Sequence, residues 1–427
     1  TPQGQGAVSI DVPANIAMDG AGHPNSAALT LNRVFDSVNP TTSITSSVSN
    51  PTSSFPIPVT VTFSESVIGF NPLDIVVNNG SISGFNGDGI TYSFNLTPDS
   101  GGLLTVDIPS GVVFDLAGNG NSPAIQFSRT YSAQTQSFVV TTTADSGPGS
   151  LRRAILDANS SEGRDLITFS IGSGYKTIAL TSALPLVTEA VVIDATTQPG
   201  FADIPLIELD GTNAGDSSDG IKITSGDSVI RGLQIGGFRQ SGIVLASGDN
   251  NVIETNFVGT ASQGMAANGN DFGVKIEAGS SGNRIGTDGD GVNDAIEMNL
   301  ISGNRADGVL LKENGTANNV IAGNLIGINR KSSAPLPNNF GIRVENGATA
   351  TRIGTNGDGT ADTAERNVIS GNRFAGILFT DENTDENTVA GNYIGTDVTG
   401  TVALGNGEDG VRVDNSSNNV IGGSSLA

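Results

Sequence analysis

Carboxylates alternating with glycine are the residues of this chain best placed to do chemistry. Ile285–Asn304 reads IGTDGDGVNDAIEMNLISGN and sets Asp288, Asp290, Asp294 and Glu297 around the flexible Gly289 and Gly291. Sixty-eight residues on, Ile353–Asn372 repeats the phrase as IGTNGDGTADTAERNVISGN, with Asn356, Asp358, Asp362 and Glu365 at the matching places. Oxygen ligands on a bendable loop are what Ca²⁺ requires, since it takes about six to eight of them. The spacing departs from an EF-hand, whose third Asp is missing and whose Glu comes later. Two such loops stacked two strands apart would hold carboxylates roughly 10 Å from each other, a repulsion that a cation relieves. The same residues also build solvated Asx turns without any metal. Calcium at these eight positions and a metal-free turn are therefore the two expectations.

Other chemistry finds less support. The single histidine, His23, sits in a polar turn, and the chain has no cysteine, so thiolate metal sites and disulfides are excluded. No nucleotide-binding glycine motif stands between a strand and a helix. Lys222, Lys275, Arg343 and Arg412 recur one residue after a Gly-Ile/Val pair, and Glu277, Glu345 and Asp414 follow the last three by two residues. Opposite charges on one strand face form a salt-bridge ladder, and a neighbouring carboxylate raises a lysine's pKa when a catalytic base needs it lowered. No catalytic residue is assigned. The formal charge of −23 repels nucleic acid and anionic membrane surfaces and attracts cations. No apolar run is long enough to span a membrane.

The elements that must position these loops follow from internal repeats. Val8–Phe35 aligns without gaps with Leu104–Tyr131, pairing Asp11 with Asp107, Asp19 with Asp115 and Asn25 with Asn121. Residues 38–132 thus form one full unit, and 1–37 the tail of a preceding one. Alternating segments such as PVTVTFSESV and ITYSFNLTP, each closed by turn residues, indicate a β-sandwich. The unpaired edges of a partial unit leave residues 1–37 to be disordered, to pair with this unit, or to pair with a neighbouring molecule.

From about residue 133 the pattern changes. Ser150 caps a short helix near 150–158 whose Leu151, Ala154, Ile155 and Ala158 share one face. Thereafter Gly-Ile/Val pairs start at 220, 242, 273, 308, 341, 376 and 410. Ile221, Ile243, Val274, Val309, Ile342, Ile377 and Val411 form an inward ladder, and Asn256, Asn299, Asn324, Asn367 and Asn392 a turn ladder. Phe238, Phe257, Phe340, Phe374 and Tyr393 are scattered and expected inside. Insertions alternate between two places in the turn, giving the two-turn period of the acidic loop. The expectation for 133–427 is a right-handed parallel β-helix with rungs rising about 4.8 Å.

Residues 38–132 resemble bacterial Ig-like repeats of large surface proteins, in VTFSESV…GF, DLAGNGN and the terminal FSRTY. In that family Asp residues near domain junctions bind calcium, which would implicate Asp115 and Asn119; an Asx turn is the plainer alternative. Residues 137–427 resemble the pectin-lyase-like β-helix superfamily, with GSLRRAILDAN as its amino-terminal cap. The superfamily includes lyases, hydrolases, epimerases and inert stalks, and its His-containing catalytic motifs have no counterpart here. The chain is thus expected to be all-β, an Ig-like sandwich and a β-helix, and to be a piece of a longer secreted or cell-surface protein. Its expected role is structural or adhesive, with other surface proteins, glycans or copies of itself as partners. A polysaccharide lyase or hydrolase, and a filament subunit assembled through residues 1–37, are the alternatives.

Overall fold

The computed structural model describes residues 2, 4–54, 56–98, 101–132, 135–161 and 163–422. The chain divides into compact units Thr1–Ala133 and Gln134–Ala427. Among the described residues no helix is long and apolar enough to cross a membrane.

In the first unit a four-stranded antiparallel sheet orders Thr42–Thr45, Ile57–Phe63, Thr91–Pro98 and Gly80–Asp88. A second sheet orders Phe127–Tyr131, Gly102–Asp107 and Val76–Asn78. Alternate residues Ile57, Val59, Val61 and Phe63 point inward and are essentially fully buried. Among the described residues of 1–37, Gly6–Ile10 and Leu31–Phe35 pair with each other as a hairpin and join neither sheet of the sandwich. The repeat survives in its turn. Asn25 accepts from the Ile16 and Ala17 amides, and Asn121, 96 residues later, accepts from Val112 and Val113.

In the second unit Ser150 accepts the Arg153 amide and opens the helix Leu151–Ala158, whose Leu151, Ala154, Ile155 and Ala158 are buried. Three parallel sheets then run the length of the coil. Sheet 1 has seven strands, from Ile221–Ile223 to Val411–Asp414. Sheet 2 has ten, from Ser137–Val140 to Val420–Ile421, and sheet 3 eight, from Lys176–Ala179 to Tyr393–Ile394. The chain visits sheets 1, 2 and 3 in turn, and the result is a parallel β-helix, right-handed as parallel crossovers almost always are. The inward ladder from Ile221 to Val411 is paired in register throughout.

Every corner of the coil carries an asparagine column. Asn256, Asn299, Asn324, Asn367 and Asn392 join sheets 2 and 3, each amide donating to the next at 2.9–3.2 Å. Asn270, Asn304, Asn338, Asn372 and Asn406 do the same between sheets 3 and 1. Asn251, Asn283 and Asn319, then Asn387 and Asn419, line the third corner. Between them stands Thr351, whose amide donates to Asn387 at 2.9 Å but whose buried hydroxyl has no partner. A buried polar atom left unpaired costs about 1–3 kcal/mol.

Insertions project from two corners on alternate rungs. Those between sheets 3 and 1 close as hairpins, Thr260–Ala261 with Ala266–Ala267, Ile328 with Pro335, and Thr396 with Ala403. They lie over an outward column of sheet 3 formed by Phe257, Leu300, Leu325, Val368 and Tyr393. Gly264 is glycine because a Cβ there would strike Leu300 and crowd Phe257. The aromatic residues are therefore not all inside: Phe238 is, while Phe257 is buried outside the coil under a hairpin.

Candidate functional site

The acidic loops are the insertions between sheets 2 and 3. Each springs from a strand ending in Ile-Gly, Arg284–Gly286 and Arg352–Gly354, and lands on the following sheet-3 strand. Carboxylate atoms of Asp288, Asp290 and Asp294 converge within 4.8 Å of one another. Each also caps a backbone turn. Asp288 accepts the Asp290 amide, Asp290 that of Val292, and Asp294 that of Gly291 together with the Thr287 hydroxyl. The second copy repeats the pattern: Asn356 accepts from Asp358, Asp358 from Thr360, and Asp362 from Gly359 and Thr355.

The glutamates are used differently. Glu297 accepts the Asp288 amide and lies 3.5 Å from Arg284; Glu365, fully buried, accepts the Asn356 amide and lies 2.9 Å from Arg352. The acidic phrase thus splits into a three-residue cluster at its tip and a glutamate bound into its base. The loops also stack, since a Cβ on Gly289 would fall 2.7 Å from the Glu365 side chain. Burial raises the Glu297 carboxyl above its ordinary value, against the hydrogen bonds from Thr287 and the Asp288 amide and the smaller pull of Arg284.

A second convergence joins Asp36, Glu65 and Asp115 in the first unit, with ligand atoms within 4.8 Å. Asp115 is held by the Ala117 and Asn119 amides and by the Asn119 side chain, so Asn119 serves the turn. Burial, then the charges of Asp36 and Asp115, push the Glu65 carboxyl up. Asp36 and Glu65 carry no local signal in the sequence, because only the sandwich brings them to Asp115. In the partial repeat His23 takes the place of Asn119 and lies 3.2 Å from Asp19, well exposed.

On sheet 1 the basic column is realised with its partners. Lys275 meets Glu277 at 3.4 Å, Arg343 meets Glu345 at 3.3 Å, and Arg412 meets Asp414 at 2.7 Å. Leu310 and Leu378 occupy the intervening rungs. One acid here escaped sequence reasoning. Asp307 is 2% exposed, lies 2.8 Å from Arg343, and is raised by burial to about 6 despite that neighbour. Phe340 and Phe374 pack against each other on the outside of the coil, ring centroids 5.3 Å apart and planes tilted by 43°, rather than pointing in as expected.

A family model described as a bacterial Ig-like domain matches residues 36–135. No curated protein sequence matches the chain. Among solved structures, a periplasmic alginate epimerase, AlgG, is 15% identical with a TM-score of 0.35, covering 64% of this chain and 58% of its own. A family 28 exopolygalacturonase of Yersinia enterocolitica is 10% identical with a TM-score of 0.29, covering 90% of this chain and 86% of its own. The A-module of a mannuronan C-5 epimerase of Azotobacter vinelandii, AlgE6, is 13% identical with a TM-score of 0.25, covering 68% of this chain and all of its own. At such scores none of these likenesses bears on chemistry. The chain spans little more than half the length of the AlgG structure.

Proposed function

We propose that this chain is a structural and adhesive segment of a secreted or cell-surface protein, in which the β-helix is a stiff support and its insertions meet the partner. The observation that carries the reading is the placement of the insertions. They alternate rung by rung on the two borders of sheet 3, while sheet 1 holds basic residues already paired with carboxylates. Calcium held by Asp288, Asp290 and Asp294, and by Asn356, Asp358 and Asp362 in the second loop, would stiffen the tips; Glu297 and Glu365 would set the loop base. Incubation with alginate and polygalacturonate tests the reading. No unsaturated uronate, no new reducing ends and no change in uronate epimer ratio are expected, and appearance of any of these sinks it.

Two observations favour other readings. The buried acid Asp307 beside Arg343 is the arrangement a polysaccharide lyase or hydrolase would use as a proton donor. Loss of any such product release in Asp307→Asn would assign it. The hairpin at residues 6–35 leaves Ile10 60% and Val34 78% exposed, which favours strand complementation between copies. A concentration-dependent polymer, lost on deletion of residues 1–37, would establish that role.

A further inference from the structure

The two acidic loops stand two rungs apart and leave a cleft between them. Its volume is about 430 Å³. Leu325, Val368 and Tyr393, on three successive strands of sheet 3, form its floor. Ala295 and Met298 of the first loop face Ala364 and Arg366 of the second, and Val398, 48% exposed, closes the end. The Tyr393 ring is no sugar platform: Arg366 lies over it at 4.2 Å, and Gly400 approaches it so closely that a Cβ there would strike the ring. Apolar walls without a free aromatic face suit an aliphatic or aromatic side chain better than a sugar ring.

The rim fixes the sign of what surrounds that side chain. On the second bank Arg366 is turned onto the Tyr393 ring, while Asp294 lines the first bank with Asp288 and Asp290 within 4.8 Å of it. Of these carboxylates, Asp288 has a cation within reach, Arg284 at 3.7 Å, and that arginine already serves Glu254 and Glu297. The whole chain adds a charge of −23. A buried apolar anchor beside a cluster of three carboxylates, in a chain of net negative charge, is complementary to a cationic polypeptide.

We propose that this cleft docks a partner polypeptide through one apolar side chain flanked by lysine or arginine. The proposal rests on the adhesive reading above, names its partner class, and concerns the loops free of calcium, which would neutralise the same carboxylates, so the assays are run in EDTA. The anchor supplies contact area, and the flanking charges supply steering and salt dependence.

Fluorescence anisotropy with the full chain tests it. The probes are labelled Gly-Lys-Lys-Phe-Lys-Lys-Gly, the same peptide with Ser for Phe, and the same peptide with Glu for every Lys. The Phe peptide should bind at least about tenfold more tightly than the Ser peptide, as burial of one large apolar side chain implies. The Glu peptide should not bind. Ala295→Trp, at an exposed wall position, should fill the cleft and erase the Phe preference without changing the melting temperature. Asp288→Asn combined with Asp290→Asn should weaken both Lys peptides and reduce their salt dependence. Equal binding of the Phe and Ser peptides, a preference untouched by Ala295→Trp, or binding of the Glu peptide each overturns the proposal. So does displacement of the Phe peptide by a neutral cello-oligosaccharide, which would make the cleft a glycan site. Failure here with no polysaccharide product leaves the scaffold standing; product release removes the scaffold whatever the peptides do.

Discussion

The two acidic loops share one backbone pattern and differ in how firmly each is tied to the coil. In the first, Glu297 keeps some exposure and sits 3.5 Å from Arg284; in the second, Glu365 has none and sits 2.9 Å from Arg352. The first is held additionally by Thr255, whose amide and hydroxyl reach Glu297 and Ile296 backbone oxygens at 3.1 and 2.9 Å. Gly323, the matching residue of the second, offers its amide alone, at 2.8 Å to Glu365. Asn283 continues the amide column beneath the first loop, and Thr351 breaks it beneath the second. Repetition has preserved the turn chemistry while the anchoring has drifted. Local hydrogen bonds close within a few residues, whereas anchors depend on what neighbouring rungs present.

The largest test of that contrast is Arg352→Ala. It strands a fully buried carboxylate and should cost about 3–5 kcal/mol, against about 1–2 for Arg284→Ala, measured by chemical denaturation. Calcium comes next. At a hundredfold excess over its Kd the ion should stabilise the coil by about 2.7 kcal/mol, and EDTA should remove that gain. The shift should vanish in Asp290→Ala with Asp358→Ala, and its absence from the parent chain would retire the metal. Thr351→Asn makes the second copy like the first and closes the amide column, and should add about 1–2 kcal/mol. An unchanged or lowered melting temperature would show that the gap is filled by other means.

A smaller effect concerns pH. Burial holds the folded-state value of Glu297 above the ordinary 4.5. The folded chain therefore binds more proton than the unfolded chain just above pH 4.5, and stability from this group rises as pH falls through that window. Glu297→Gln should flatten that rise; a parallel pH profile would contradict the assignment. Smallest of all is Thr255→Gly. Thr255 has φ +62°, costly for a β-branched residue, where Gly323 has +71°. Relief of strain and loss of the hydroxyl bond should nearly cancel, within about 0.5 kcal/mol.

Much of the fold was legible because it repeats. Ile221 through Val411 share one register, and a single asparagine column was visible from Asn256 onward because each member precedes an apolar-x-apolar strand. The other two columns, through Asn270 and Asn251, were hidden by insertions of changing length and by the Thr351 gap. The capping helix could be read from Ser150 and four apolar residues. Placement of the aromatics failed, since an outward column such as Phe257–Leu300–Leu325 looks like a core until the hairpins that cover it are known. The acidic cluster could be read as a composition, but the diversion of Glu297 and Glu365 to Arg284 and Arg352 could not. Sequence distance gave no hint that Asp36 and Glu65 meet Asp115, or that Asp307 meets Arg343.

The matching intervals at all three corners make the length of the coil an adjustable quantity. Excision of residues 285–352 would splice Arg284 onto Ile353, remove one two-rung module whole, and leave every remaining asparagine beside another. The gap at Thr351 would depart with the module. A shorter rod, continuous in all three seams, would be the product, and adding the same cassette would lengthen it by about 10 Å per insertion.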